Sequence, residues 1–197
     1  MVLSGSLFAK HIIENSGIKS SDLNNLWHFC SLKAVTKNEI LTFVGEQSDC
    51  FYFVETGLLK QYSIDKNGKE HILQFAPENW FLGDRSSIFY DLPASYNIQA
   101  IEDCVVMTIK EEFMISVAQD NKSFANYMNK LLHNHIRHLQ KRITQLLSTS
   151  AEDRYLDFIK TYPSIVQRVP QGMVASYLGI APESLSRVRK ELMKRDS

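Results

Sequence analysis

The sequence has little of what marks an exported, membrane or metal-binding protein. Its 197 residues include three cysteines, Cys30, Cys50 and Cys104, whose wide spacing without a CxxC pair argues against a disulfide framework or a zinc or iron–sulfur cluster. No apolar run approaches the length of a membrane span, and the N-terminus lacks the cationic start and long apolar core of a signal peptide. We therefore expect a soluble protein of the reducing cytoplasm.

Signatures of catalysis are absent as well. The sequence contains no GxSxG, P-loop or HExxH pattern. The segment HNHIRH supplies His133, His135 and His138, but on a helix His133 points away from the other two, so the three cannot converge on one zinc ion. We expect no enzymatic activity and no metal site, and we expect these histidines to lie on the polar side of their helix.

Charge is balanced overall but unevenly placed. The chain has 22 Lys and Arg against 22 Asp and Glu. From Leu131 onward it has 11 Lys and Arg against 6 Asp and Glu, which leaves 11 against 16 before that residue. Because the net charge is zero, composition alone indicates no nucleic-acid, membrane or acidic partner. The regional counts nevertheless show that the C-terminal part of the chain is basic.

The spacing of apolar residues divides the chain into successive regions. Two short helices are predicted within residues 6–30, and short strands rich in aromatic and β-branched residues follow to about residue 110. Turn signals at Thr56-Gly57 and Asn67-Gly68 separate these strands and favour an antiparallel barrel or roll. We expect an α+β fold with a roll domain over residues 1–110, a long helix over 111–148 and a small all-helical domain over 149–197.

A regular apolar seam runs along the predicted long helix. Five apolar residues follow one another at steps of 4, 3, 4 and 3, the spacing of an a/d seam. The seam can pack on a second copy of the same helix in a two-fold dimer, or it can face the core of a monomer, since it covers only about two heptads. Its members are Leu132, Ile136, Leu139, Ile143 and Leu146.

Two helices joined by a glycine turn are predicted near the C-terminus. Pro170 can begin the first helix, Gly179 suits its left-handed end, and Pro182 suits the first position of a second helix over residues 182–195. Helix, short glycine-containing turn and helix is the order of the helix-turn-helix unit.

The second helix has one apolar face and one polar face. Leu185, Val188 and Leu192 share the face that we expect to be buried. The opposite face carries groups that can bind base edges in the DNA major groove, although a solvated helix with ordinary surface charge is the alternative. These outward residues are Glu183, Ser186, Arg187 and Lys190, and Arg189, Lys190, Lys194 and Arg195 are expected to neutralise phosphates.

The chain resembles the CRP/FNR family of bacterial transcription regulators over about residues 5–195. The segments AEDRYLDFI, VPQGMVASYLG and PESLSRVRK carry the resemblance, and ESLSR is similar to the Glu-x-x-Ser-Arg reading motif of the FNR-type branch. The resemblance implies that Glu183, Ser186 and Arg187 read bases and that Ser184 contacts a phosphate. It also implies a double-stranded β-roll of the cyclic-nucleotide-binding type, a dimerisation helix and a winged-helix-like DNA-binding domain. We thus expect a homodimer on a palindromic operator, with RNA polymerase as a further partner if the protein is an activator.

The helix-turn-helix region departs from the family pattern at two points. Ala181 stands where a capping Ser or Thr often precedes the proline, and loss of such a cap typically costs about 1 kcal/mol. The sequence stops at Ser197, so we expect the β-wing to be missing or minimal.

The larger departure lies in the segment that matches the effector pocket. Cyclic-AMP-binding members have a Gly-Glu pair and a later Pro-Arg pair, whose carboxylate and arginine hold the ribose hydroxyl and the cyclic phosphate. Gly83 and Asp84 match the first pair, but Ala94 follows Pro93, so the fork for the phosphate is missing and cyclic AMP is doubtful as the effector. The candidate pocket residues are Gly83, Asp84, Arg85, Ser86, Pro93, Ala94 and Ser95, with Arg85 as an alternative phosphate ligand.

Other interpretations of the roll remain open. The cysteines do not cluster as in the iron–sulfur branch, whereas haem-binding members can use a single axial histidine, and His71 lies in a predicted strand. The roll either binds an unidentified effector or is purely structural, and we assign no cofactor. A ligand-sensing module that has lost DNA binding is the alternative function, but it does not require an outward Arg187 beside Glu183.

Overall fold

Residues 3–195 are described by the computed structural model, which confirms the predicted α+β class. The chain forms two compact units, one from the chain up to Ser63 with Gln74–His133, and one from Ile64–Leu73 with the chain from Asn134 onward. Residues 1–2 and 196–197 lie outside the described residues. They include the predicted start of the first domain, the predicted end of the last domain and the position of the expected minimal wing. The boundaries at 63/64 and 73/74 both fall within one β-hairpin, and the boundary at 133/134 falls within a long helix.

Two helices open the first unit, as the sequence predicts. Helix α1 (Leu7–Ser16) begins after Ser6, whose Oγ accepts a backbone N–H of the first turn at 3.1 Å. The carboxylate of Glu55 accepts the first two N–H groups of α1 at 2.7 and 2.9 Å, which places a negative charge at the positive end of the helix dipole. A single turn, α2 (Ser20–Leu23), follows.

The roll consists of eight strands in two four-stranded sheets. The strands are β1 (Cys30–Val35), β2 (Ile40–Thr42), β3 (Cys50–Thr56), β4 (Leu59–Ile64), β5 (Glu70–Ala76), β6 (Phe81–Leu82), β7 (Asn97–Ala100) and β8 (Cys104–Lys110), and helix α3 (Arg85–Tyr90) lies between β6 and β7. The sheet orders are β1-β8-β3-β6 and β2-β7-β4-β5, with β1 antiparallel to β8 and β4 antiparallel to β7. The predicted Asn67-Gly68 turn joins β4 to β5, and Gly68 has a positive φ of 79°.

Strand β8 is buried on both faces, and its side chains alternate between two apolar clusters. Val106 packs with Leu59 and Ile98 in one cluster. Met107 and Ile109 belong to another cluster, which includes residues of α1. Because neighbouring residues of a strand point to opposite faces, one strand supplies both parts of the core.

The helix predicted over residues 111–148 is two helices rather than one. Helix α4 (Glu111–Asp120) is followed by Asn121, which has an extended backbone, and α5 (Lys122–Ser148) begins directly after this residue. The side chain of Asn121 accepts the N–H of Phe124 at 3.0 Å and so caps α5. A polar residue that bonds to the backbone of a following turn favours a cap over a helix interior, which explains the break.

Three helices complete the second unit: α6 (Ala151–Thr161), α7 (Gln171–Leu178) and α8 (Pro182–Arg195). A capping box begins α6, because Ser150 Oγ accepts the N–H of Asp153 at 3.1 Å and donates to its carboxylate at 2.6 Å. Helix α8 has the bounds that the sequence predicts. Among residues 3–195, no helix combines the length and the apolar character needed to cross a membrane.

Candidate nucleic-acid interface and effector pocket

Helices α7 and α8 form a helix-turn-helix. Helix α7 ends at Gly179, which has φ +66°, and the N–H of Ile180 returns to the carbonyl of Ala175 at 3.0 Å. The left-handed backbone at position 179 favours glycine, whereas the nearest atom to a Cβ there would be the movable end of the Leu146 side chain, Cδ2, at 2.9 Å. The turn then passes directly into α8 at Pro182.

The buried face of α8 fixes which side chains it presents outward. Leu185 is fully buried, Val188 is 8% exposed and Leu192 is half-buried. Glu183, Ser186, Arg187 and Lys190 are all exposed, and their side chains form no hydrogen bond or ion pair within residues 3–195. The four side chains can therefore bind an external partner without first breaking an internal contact.

The remaining predicted contact residues of α8 are placed differently. Ser184 and Arg189 are half-buried at the edge of the outward face, and Lys194 is exposed. Arg195 is paired with Glu152 of α6, which makes it a weaker candidate for a phosphate contact than the sequence indicates. Ala181 has no side-chain oxygen to cap α8, and only its carbonyl takes part, as the acceptor for Ser184 and Leu185.

Tyr162, which directly follows α6, contacts the first helix of the helix-turn-helix through its aromatic ring. Tyr162 packs edge-on against Tyr177, with ring centroids 5.9 Å apart, and its hydroxyl lies 3.2 Å from His138 Nε2. His138 is therefore half-buried and hydrogen-bonded, which corrects the expectation of a polar outer position. Burial, aided by Arg142 and Lys141, lowers the pKa of His138, and burial raises the pKa of Tyr162.

The seam on α5 is exposed to solvent in the single chain. Its five side chains retain substantial accessible surface, and none of them belongs to the buried core. The exposed fractions are 38% for Leu132, 42% for Ile136, 41% for Leu139, 56% for Ile143 and 43% for Leu146. A row of five exposed aliphatic residues on one helix face is typical of a helix that packs on a partner.

In the candidate effector pocket, Asp84 is bound by the protein itself. Asp84 is 1% exposed, and its carboxylate accepts the N–H of Ser87 at 3.1 Å, which caps α3. The same carboxylate accepts the N–H groups of Ser95 at 2.8 Å and Tyr96 at 3.1 Å. The group that matches the ribose ligand of the family thus holds the 93–96 loop against the start of α3.

The other pocket residues offer little to a cyclic phosphate. Ala94 is 2% exposed, and its backbone pairs with Gly45 and Glu46, each at 2.8 Å. The space beside Gly83 is taken, because a Cβ there would lie 2.7 Å from Phe51 and 2.8 Å from Ile88. Pro93 and Ser95 are exposed and Ser86 is half-buried.

Arg85 lies over aromatic rings rather than in a phosphate-binding fork. Its guanidinium carbon is 5.7 Å from the Phe89 ring centroid and 6.0 Å from that of Phe51, which is within the range of a cation–π contact. The side chain is exposed. Arg85 is therefore available to an anion only as a single surface charge.

The candidate metal and haem ligands are also placed apart. In the described part of the chain, no three His, Cys, Asp or Glu residues are grouped closely enough to hold a metal ion. The three cysteines, all within the described residues, form no disulfide with one another, and burial raises the pKa of Cys30 to about 12. His71 Nε2 lies 2.9 Å from the carboxylate of Asp65 in its own hairpin. These contacts favour structural roles for Cys30 and His71.

Three polar residues near the helix-turn-helix have no signal in the sequence pattern. Arg142 bonds to backbone carbonyls of β5 and α7, Ser176 bonds to β5, and Arg154 donates to the carbonyl of Leu178 at 2.7 Å. Their partners are 24 to 106 positions away in the sequence, which no local period can indicate.

Comparison with known sequences supports this arrangement. The cyclic nucleotide-binding domain family matches residues 32–121. An anaerobic regulatory protein of Pasteurella multocida is 24% identical over an alignment of 173 positions, which covers 82% of this chain and 63% of the relative. A fumarate and nitrate reduction regulatory protein of Vibrio cholerae is 25% identical, over 83% of this chain and 69% of the relative. The chain thus spans only about two thirds of the length of the curated relatives that it matches.

Solved structures share the fold at lower sequence identity. FixK2 from Bradyrhizobium japonicum has a TM-score of 0.75 at 18% identity, covering 85% of this chain and 86% of its own. A transcriptional regulator of the CRP/FNR family from Eubacterium rectale has a TM-score of 0.69 at 19% identity, covering 93% and 87%. The c-di-GMP responsive regulator CLP of Xanthomonas campestris has a TM-score of 0.71 at 14% identity, covering 90% and 93%. The resemblance predicted from the sequence is confirmed.

Proposed function

We propose that this chain acts as a homodimeric, cytoplasmic, sequence-specific DNA-binding transcription regulator of the CRP/FNR type. The observation that carries the proposal is the outward row of α8, formed by Glu183, Ser186, Arg187 and Lys190, which is exposed and has no partner in residues 3–195. This row lies opposite the buried Leu185 and Val188 on the second helix of a helix-turn-helix. Such a helix enters the DNA major groove through its N-terminal turns.

The chemistry of each side chain defines its proposed role. Arg187 can donate two parallel hydrogen bonds to O6 and N7 of a guanine, and Glu183 can accept one from the amino group of a cytosine. Ser186 can serve a base, and we assign to Ser184, Arg189 and Lys190 the phosphate contacts that would fix the position of the helix. These roles separate the residues that select sequence from those that supply salt-sensitive affinity.

The proposed dimer uses the exposed seam of α5. Two copies of the seam would bury ten aliphatic side chains and relate two α8 helices by a two-fold axis. Two such helices about one DNA turn apart fit a palindromic operator. In this assignment residues 1–110 form the effector domain, 111–148 the dimerisation region and 149–197 the DNA-binding domain, and RNA polymerase is the partner if the protein activates.

We also propose that the effector is not cyclic AMP. The buried carboxylate of Asp84 already accepts three backbone N–H groups, and the position of the phosphate-binding arginine is taken by the buried Ala94. A ribose hydroxyl would have to displace the loop amides from Asp84, and the phosphate would meet no guanidinium fork.

Selection of bound duplexes from a random pool tests the proposal, with fluorescence anisotropy as the binding measurement and with cyclic AMP present or absent. We expect a palindrome to be enriched and its affinity to be unaffected by the nucleotide. Enrichment that requires cyclic AMP would overturn the proposal about Asp84 and Ala94. No enrichment under either condition would overturn DNA reading by α8 and favour a sensor module.

A further inference from the structure

Strand β5 is the last strand of its sheet, and a side chain of α7 covers part of its free edge. Ser176 Oγ donates to the carbonyl of Glu70 at 2.9 Å and accepts the N–H of Ile72 at 3.0 Å. A hydroxyl that both donates and accepts thus replaces a neighbouring strand at this point. Residues 64–73 accordingly belong to the same compact unit as α7.

A second side chain joins the same two elements from α5. Arg142 donates to the carbonyls of Ile72 at 2.8 Å and Tyr177 at 2.9 Å, and also to the carbonyl of Leu73. Its guanidinium carbon lies 3.7 Å from the centroid of the Tyr177 ring. The face of the guanidinium therefore stacks on the Tyr177 ring, while its N–H groups donate to backbone carbonyls of β5 and α7. A lysine cannot reproduce this geometry.

These contacts lie immediately before the turn that leads into α8. The carbonyl bound by Arg142 belongs to the residue two positions before Gly179, and the Ser176 carbonyl accepts the N–H of Gly179 at 3.1 Å. Any movement of this end of α7 is passed through the three-residue turn to the first residues of α8. Those first residues include Glu183, one of the proposed base contacts.

We propose that Arg142 and Ser176 are positioning residues, which fasten the hairpin tip 64–73 to α7 and thereby set the angle at which α8 meets DNA. The inference rests on the proposed function, since it deepens the account of how α8 reads sequence. In this arrangement the hairpin tip is a structural part of the DNA-reading unit, and neither Arg142 nor Ser176 contacts DNA.

Three variants test the inference, with a fourth as a matched control. Arg142→Lys keeps the charge and removes the fork, Arg142→Gln removes both, and Ser176→Ala removes the hydroxyl that accepts the Ile72 N–H. Arg137→Gln removes a charge from an exposed position of the same helix and serves as the control. Each protein is measured for affinity to the selected operator and to a scrambled duplex, and for hydrogen exchange of the Ile72 amide.

We expect Arg142→Lys and Ser176→Ala to lose on the order of tenfold in operator affinity, with little change on the scrambled duplex. The Ile72 amide should exchange about tenfold faster or more in Ser176→Ala, because the hydroxyl that accepts its hydrogen bond is gone. In the control, Arg137→Gln, we expect the free energy of global unfolding to be unchanged. If the wild-type protein selects an operator and Arg142→Lys and Ser176→Ala bind it as tightly, the inference is wrong and the proposed function stands. An unchanged exchange rate at Ile72 in Ser176→Ala would also overturn it, without any reference to DNA.

Discussion

Replacing Ile136 with aspartate tests the seam on α5 most directly. Complete burial of a Leu or Ile side chain contributes about 1.5–3 kcal/mol, and the seam residues retain 38–56% of their surface in the single chain. Covering them therefore stabilises a dimer by about 0.6–1.7 kcal/mol per residue, or about 7–13 kcal/mol over ten residues. Association costs about 4–15 kcal/mol in lost freedom, so the margin that the seam supplies is narrow.

Ile136→Asp removes two of these ten side chains and places two carboxylates in the seam. We expect the loss of about 1–3 kcal/mol of burial, together with several kcal/mol for unpaired charge, to weaken the dimer by at least about a hundredfold. Sedimentation velocity at micromolar concentration should then show a monomer. Asn134→Asp adds the same charge on the opposite side of the helix and should remain dimeric, because that side chain is exposed and lies off the seam.

Two results would refute this reasoning. A wild-type protein that sediments as a monomer at the same concentration would show that the seam is not a dimer contact. Equal sedimentation of Ile136→Asp and Asn134→Asp as dimers would show that the protein associates through another surface. In either case the expectation of a palindromic operator would lose its structural basis, whereas base contacts by α8 would still be testable on single half-sites.

The remaining predictions concern α8, the pocket and His138. Arg187→Ala should lose about 1–3 kcal/mol at the operator and little on random DNA, measured by anisotropy, and an equal loss on both would assign Arg187 to a phosphate. Asp84→Asn should lower the free energy of unfolding by about 1–3 kcal/mol in denaturant melts, because an amide cannot accept all three N–H groups equally well, and cyclic AMP should not shift the melt of either protein. Since the pKa of His138 is lowered in the fold, unfolded chains bind its proton first as pH falls below about 6.5, and stability present above that pH is lost below it. His138→Gln should therefore lose less stability than the wild type between pH 7.5 and 5.5 in thermal unfolding, and identical losses would contradict that burial effect.

Local sequence signals predict the elements that place the candidate site. Gly179 and Pro182 define the turn and the start of α8 because one backbone conformation and one ring restrict those positions strongly. The Asn67-Gly68 turn is predicted correctly for the same reason. In contrast, the break at Asn121 is not expected, because apolar residues continue at helical spacing on both sides and only a side-chain cap ends the regularity.

Residues that act across long sequence separations could not be predicted. Arg142 lies between two seam residues, so its position in the sequence indicates only a charged side chain off the apolar stripe. Its partners Ile72 and Leu73 lie 70 and 69 positions away, and Ser176 bonds to Glu70 at a separation of 106. Such pairs depend on tertiary packing, about which local periodicity carries no information.

Asp84 supplies the buried carboxylate that the family resemblance predicts, but it binds backbone N–H groups of the protein itself. The resemblance places a carboxylate where the family binds a ribose, and the structure indeed buries a carboxylate there. A buried carboxylate needs hydrogen-bond donors. If the protein itself supplies these donors, a ligand hydroxyl has to displace them in order to bind. Here the backbone N–H groups of Ser95 and Tyr96, which directly follow Ala94 in the sequence, are two of these donors. Because Asp84 also caps α3, these bonds connect the loop at the expected phosphate position to the start of α3. The absence of an arginine at position 94 and the bonding of Asp84 to the loop amides therefore support the same proposal, that this pocket does not bind cyclic AMP.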